Sequence, residues 1–285
     1  KDLVAAGTFD IPVTAQLIEN KIVAGNKTAL RINYTTDGED STLIIPKGQT
    51  LKLSKDKPKP VLVLIDNEIN WMTPDAGAIT YTNSSGKTKT TKVKSVPKPM
   101  KLSGAWEVSF PPNLGAPSKA IFDKLIAWTD ATAEGIQHFS GTATYRKEFV
   151  LSDNFLQADQ TLELDLGSVA IIAEVIINSK NVGTLWKAPF RIHIDDFVKE
   201  GVNTLEIKVT NLWVNRLIGD EKRPLDIERK GDKTTSLPDW LINEQARPSG
   251  RLTFPSWKHW AKDDELLTSG LLGPVKINVF HKIKL

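Results

Sequence analysis

The chain has 285 residues, room for two domains of about 100–200 residues each. With 40% hydrophobic and 25% charged residues it is not a disordered tail, and 37 basic against 34 acidic residues exclude the strong basic stripe of a dedicated nucleic-acid binder. Cysteine is absent, which excludes disulfides, Cys-zinc sites and thiol catalysis.

The first 98 residues read as a series of short strands. Val13 to Ile18 alternates weakly, and Ala29 to Tyr34 places Leu30, Ile32 and Tyr34 on one face. Gly25-Asn26 and Asp37-Gly38 are turn formers between such runs. Thr42–Ile45 and Thr50–Leu53 flank Pro46-Lys47-Gly48 and are expected to pair as a hairpin. Val61–Ile65 is wholly apolar, as a buried strand would be. Ala78–Thr82 and Thr88–Val93 flank Asn83-Ser84-Ser85-Gly86, a second hairpin signal. Val96-Pro97-Lys98-Pro99 suits an extended linker, and the domain boundary is expected there: a small immunoglobulin-like sandwich over 1–98 and a second sandwich over 99–285.

Beyond the linker, Trp106, Val108 and Phe110 alternate inward, and Thr142–Val150, Leu162–Leu166, Leu205–Val209 and Val275–Val279 repeat the two-residue period. Phe190, Ile192 and Ile194 share a face opposite Arg191 and His193. One helix is expected over Ser118–Trp128, where Ile121, Leu125 and Trp128 have helical spacing. Leu217–Leu272 has no clean period and carries Pro224, Pro238, Pro248 and Pro255, so it reads as long ordered loops, which in a compact domain are usually functional. The fold class is therefore all-β, with two β-sandwich domains. The longest apolar run, Val169 to Ile177, contains Glu174 and falls short of the ~20 residues of a membrane span. No apolar signal-peptide core follows Lys1, as in a mature or excised chain.

No P-loop, dinucleotide fingerprint, His-Glu-x-x-His or Gly-x-Ser-x-Gly motif is present. His138, His193, His259 and His281 are not at metal-ligand spacing. Asp195-Asp196 could lend oxygens to a structural calcium ion, the one cofactor candidate; a solvated turn is the alternative. Seven of the eight tryptophans follow Pro99. Trp106 and Trp128 fit apolar faces and read as core. Trp186, Trp213, Trp257 and Trp260 lie near strand ends or in loops, among Arg191, Asn215, Arg216, Asp220, Lys258 and His259. Flat aromatics match the C–H face of a sugar, and planar or charged side chains match its hydroxyls. The alternative is that these tryptophans cover the core or an interdomain seam.

Ser103-Gly104-Ala105-Trp106-Glu107-Val108-Ser109-Phe110 and Ser140 to Phe149 resemble the start of the sugar-binding jelly roll of family 2 glycoside hydrolases. Leu164 to Val169, Ala173 to Asn178, Val182-Gly183, Pro189 to Asp195 and Gly201 to Val209 continue that pattern in order. Thr210 to Glu221, Thr253 to Trp260 and Ser269 to Val275 are similar to the C-terminal region of α-L-rhamnosidase-like enzymes of glycoside hydrolase family 106. The resemblance covers about Leu102 to Val279 and implies that the second sandwich is a galactose-binding-like jelly roll. Asn178-Ser179 departs from the Asn-Gly that the family usually has in its turn, which bears on the turn type.

In such enzymes the catalytic carboxylates lie on a separate (β/α)8 barrel of about 250 residues, and no alternation of strands and helices is legible here. The resemblance thus implies no catalytic residue in this chain. It implies an accessory region of a bacterial enzyme that is secreted, periplasmic or on the cell surface. Its partners would be a plant or host glycan and a catalytic barrel, not nucleic acid. An independent lectin-like glycan binder is the alternative, and a self-sufficient enzyme would need a carboxylate pair that the sequence does not offer.

Overall fold

The computed structural model describes the backbone of residues 10–12, 29–36, 39–46, 50–52, 60–65, 68–82 and 86–284, with side chains for 60–63, 68–82 and 86–284. Val13–Ile18 and the turns at Gly25-Asn26, Asp37-Gly38, Lys47-Gly48 and Asn83 to Ser85 lie outside the described residues.

Two sheets face each other across one core. The first runs Lys119–Phe122, Trp106–Ser109, Thr142–Leu151, Gly201–Thr210, Ile172–Ile177, Lys180–Leu185, each strand antiparallel to its neighbour. Its central pair, Thr142–Leu151 with Gly201–Thr210, is ten residues long and in register throughout. The second runs Arg191–His193, Gln160–Asp165, Lys276–Lys284, Glu68–Thr73, Val61–Ile65, with Met100–Lys101 beside the start of Lys276–Lys284.

The period-two pattern explains the layering. Ala143, Tyr145, Phe149, Leu151, Leu205, Ile207, Val209, Ala173, Val175 and Ile177 turn inward from the first sheet. Leu162, Leu164, Ile277 and Val279 meet them from the second. Trp106 and Trp128 are 1% and 0% exposed, as their apolar faces predicted. Phe110, Trp128 and Phe139 pack edge to face, with ring centroids 4.9–5.9 Å apart.

The hairpin Gly77–Thr82 with Thr88–Val93 forms as expected. Three local expectations change. Lys119–Phe122 is a strand paired with Trp106–Ser109, and Trp128–Asp130 is a single 3-10 turn, so no helix spans Ser118–Trp128. The helical spacing there was fortuitous: Ile121 is 62% exposed while Phe122 and Trp128 are buried. Glu39–Pro46 pairs with Ala29–Thr36 over eight positions and Thr50–Lys52 pairs with Asp10–Pro12, and among the described residues the two strands flanking Pro46-Lys47-Gly48 do not pair with each other. Val61–Ile65 is a strand at a sheet edge, where Val61 and Leu62 are largely exposed.

The last strand links sequence-distant segments. Lys276–His281 pairs with Gln160–Asp165, while His281–Lys284 pairs with Asn70–Thr73. Hydrogen bonds of one sheet thus join segments on both sides of Pro97–Pro99.

Ile172–Ile177 and Lys180–Leu185 are joined by the two residues Asn178 and Ser179, with φ of 50° and 65°. Both lie in the left-handed region, as a type I′ hairpin turn requires, so Ser179 keeps the tight turn that glycine would make. The Asn178 amide ties it down, donating to the Phe197 carbonyl and Asn203 Oδ1 and accepting from the Thr204 N–H.

Candidate functional site

The connection between the first sheet and the last strand, residues 211–269, is the largest irregular part of the described chain. It is braced, not loose. Its first element is the helix Val214–Glu221, absent from the loop reading above. Val214, Leu217 and Ile218 have helical spacing, and Asn215, Arg216, Ile218, Gly219 and Asp220 are buried. Gly219 permits the helix to lie against His138: a Cβ there would sit 2.7 Å from the imidazole.

Asn215, Arg216 and Asp220, chosen above as hydroxyl binders, face inward. They are 1%, 7% and 1% exposed. The Asn215 amide donates to the Leu267 carbonyl at 2.7 Å and accepts from the Leu267 N–H at 2.8 Å. Arg216 lies 3.1 Å from Asp220 one helical turn away. Asp220 Oδ2 accepts from the N–H of Leu252, the N–H of Thr253 and Thr253 Oγ1, at 2.7–2.9 Å. Polar groups taken from water must be paired in this way, and here the pairing fixes the loop onto the helix.

A second ionic group lies one step further along. Glu221 accepts two parallel bonds from Arg229, at 3.0 and 2.9 Å, and one from Arg251 at 2.9 Å. Arg251 also donates to the carbonyls of Pro224 and Arg223. Burial raises the Glu221 pKa, but the bonds from Arg229 and Arg251 outweigh it and hold the carboxyl below its usual range. Asp226 is held low chiefly by a two-pronged bond from Arg247, with Ser249 also donating to it. Arg247 lies over the Trp240 ring, whose N–H donates to the Asp226 carbonyl.

Glu221, Arg229 and Arg251 border an open cleft of roughly 500 Å³ that is also lined by Arg223, Leu225, Gly231, Asp232 and Lys258. Of the expected site residues, only Lys258 lines it. Arg223, Leu225, Arg229, Asp232 and Arg251 carry no periodicity and come from segments up to about 30 residues apart; the available signal was the density of Arg in a proline-rich stretch.

The other expected residues sit on separate elements. Trp186, 65% exposed, follows the edge strand Lys180–Leu185 with the Lys187 ammonium over its ring. Arg191 lies on the edge strand of the other sheet and donates to Asp165 at 2.9 Å. Trp213, 58% exposed, immediately precedes the helix. Trp257, 41% exposed, bridges to Lys233, whose ammonium lies 5.2 Å from its ring. His259 is exposed and Trp260 half-buried. Asp195 accepts from Thr161 Oγ1 and the Leu162 N–H, both at 2.7 Å. Hydrogen-bond donors facing both its oxygens suit a brace between loop and strand, and no metal role for Asp195 or Asp196 follows from it. Among the described residues no three His, Asp or Glu side chains gather, and no helix is long and apolar enough to cross a membrane.

Residues 120–244 match the model of the glycosyl hydrolase 2 galactose-binding domain-like family, less than half of the chain. A protein of Formosa agariphila provisionally named beta-glucuronidase is 58% identical over 279 residues, which are 98% of this chain and 24% of that protein. The chain thus spans about a quarter of the curated relative it matches. A rhamnosidase structure from Novosphingobium sp. PP1Y superposes with a TM-score of 0.52 at 22% identity, covering 98% of this chain and 26% of that one, a likeness of fold alone. With its facing sheets and alternating core, the chain is all-β and carries a galactose-binding-like domain.

Proposed function

We propose that this chain is the accessory β-sandwich region of a bacterial α-L-rhamnosidase-like glycoside hydrolase, secreted, periplasmic or at the cell surface. It contacts carbohydrate and a catalytic barrel through the loops between residues 211 and 269. The carrying observation is the pairing of a galactose-binding-like sandwich with tryptophans displayed on its connections: Trp186, Trp213 and Trp257 stay 41–65% exposed while Trp106 and Trp128 are buried. Exposed indoles present flat faces to a pyranose ring, and keeping them in water has no packing benefit. The similarity to a fourfold longer protein named for a glycosidase activity, and the superposition of 98% of this chain on 26% of a rhamnosidase, support the accessory role.

Affinity gels and calorimetry of the 285-residue chain against rhamnose-, galactose- and uronate-containing polysaccharides test the reading. Binding that weakens in Trp213→Ala or Trp257→Ala supports it. A flat response across the panel overturns carbohydrate contact.

A further inference from the structure

The cleft beside Glu221 has an uneven charge. Four cations, Arg223, Arg229, Arg251 and Lys258, line it with two carboxylates, Glu221 and Asp232. Glu221 is already engaged by Arg229 and Arg251, so its charge is offset at the cleft's inner face. Those two arginines are rigid. Arg251 is buried and donates to a carboxylate and two carbonyls, and Arg229 is clamped two-pronged. Yet the Arg229 Nε–H is buried without a hydrogen-bond acceptor, a costly omission in a group that lines a cleft. At the rim, the Arg223 guanidinium makes no ion pair among the described residues, and Lys258 reaches Glu221 only at 4.0 Å. Leu225, 52% exposed, supplies one apolar surface in the same lining.

A fixed cationic base, an unpaired Arg223 and a loosely held Lys258 at the rim, and one apolar wall fit a small oxyanion carried on an apolar-faced ring. Guanidinium groups bind carboxylate and sulfate through paired, charge-assisted hydrogen bonds, and a preformed base loses little entropy on binding. We propose that the cleft binds the oxyanion of an acidic glycan, a uronate carboxylate or a sulfate ester, with Arg223 and Lys258 as its mobile contacts. This rests on the carbohydrate reading above and assigns it a substrate class and a place.

The test is calorimetry of the full chain with length-matched neutral, uronate-containing and sulfated oligosaccharides, at about 50 and about 200 mM NaCl. The acidic ligands should bind at least about tenfold more tightly than the neutral ones, and less so at the higher salt. The uronate and sulfate arms show which oxyanion is preferred. The double variant Arg223→Ala/Lys258→Ala should lose that preference with its melting temperature unchanged, because both residues lie at the rim. Arg223→Glu, a second variant with the same net charge in the cleft, should also abolish the preference. Equal binding of neutral and acidic ligands, or a preference that survives both variants, overturns the cleft assignment and leaves sugar contact through tryptophan standing. No binding of any oligosaccharide overturns both. Tighter binding of a glutamate-rich peptide titrated in parallel reassigns the cleft to a protein partner and overturns the glycan class.

Discussion

Trp128 Nε1 donates a 2.6 Å hydrogen bond to the hydroxyl of Tyr145 in the interior of the sandwich, and the same hydroxyl accepts the N–H of Leu271 at 3.1 Å. A donor from a 3-10 turn and one from the strand Gly270–Gly273 thus converge on one oxygen carried by a central strand. Burial raises the Tyr145 pKa far above its ordinary value, so the phenol stays neutral at any working pH. Gly270 leaves room for the arrangement, since a Cβ there would lie 2.8 Å from the indole nitrogen.

Tyr145→Phe keeps the ring and removes the shared acceptor. Two buried N–H groups would then lack partners, each at a cost of about 1–3 kcal/mol. A loss of about 3 kcal/mol in chemical unfolding is expected, with sugar binding retained at temperatures well below the transition. A loss under about 0.5 kcal/mol would show that the oxygen is not the tie described.

Asp220→Ala should act on stability before it acts on binding. The substitution strips three bonds from residues 252 and 253 and leaves the buried Arg216 without its ion-pair partner, with only the weaker influence of Glu134 remaining. Breaking a buried pair from one side costs about 3–5 kcal/mol. Hydrogen exchange should speed up at Leu252 and Thr253; unchanged protection there would contradict the bracing role.

The exposed tryptophans should behave in the opposite way. Trp213→Ala and Trp257→Ala are expected to weaken glycan binding by about 1–3 kcal/mol each. Their melting temperatures should stay within a degree or two of the parent, whereas Trp106→Ala should lower stability by about 3–5 kcal/mol. Equal losses of stability and affinity at Trp213 would mark it as packing.

Acid should loosen the 221–251 region before the sandwich. Glu221 and Asp226 have folded pKa values below their ordinary 4.5 and 3.8. A depressed carboxylate contributes stability that is present above the ordinary value and lost as pH falls through the folded one. Exchange of the Arg251 and Thr253 amides should therefore be flat from pH 7 to about 5 and accelerate below about 4, after correction for intrinsic rates. Glu221→Gln should shrink that acid response.

Ser179→Gly should be mildly stabilising. A non-glycine residue in the left-handed region costs about 1–2 kcal/mol, and the greater freedom of glycine when unfolded returns part of that. A gain of about 0.5–1 kcal/mol is expected from denaturant midpoints; a loss would mean that the Ser179 side chain contributes a contact of its own.

The sandwich was legible because alternation is a local signal. Trp106 to Phe110 and Thr142 to Val150 show which side chains face in without reference to any neighbour. The helix Val214–Glu221 was less so, although Val214, Leu217 and Ile218 carried its spacing, because the prolines that follow dominate the composition. The roles of Asn215, Arg216 and Asp220 could not be read at all. The side chains that suit a sugar hydroxyl also suit a buried backbone amide, and only the position of residues 252, 253 and 267 tells which they meet. The cationic cleft was hidden for a related reason: its arginines are neighbours only after the loops fold back.

The pairing of His281–Lys284 with Asn70–Thr73 imposes an order of events during synthesis. These partners are about 200 residues apart, so Glu68–Thr73 leaves the ribosome long before the strand that completes its sheet. At about 5–20 residues per second it waits ten seconds or more with one edge unpaired. Its other edge is taken at once by Val61–Ile65, a neighbour only a few residues away. That early hairpin leaves the inner edge of Glu68–Thr73 for a nascent chain to protect until Lys276–Lys284 arrives, while Val61–Ile65 forms the outer edge from the start.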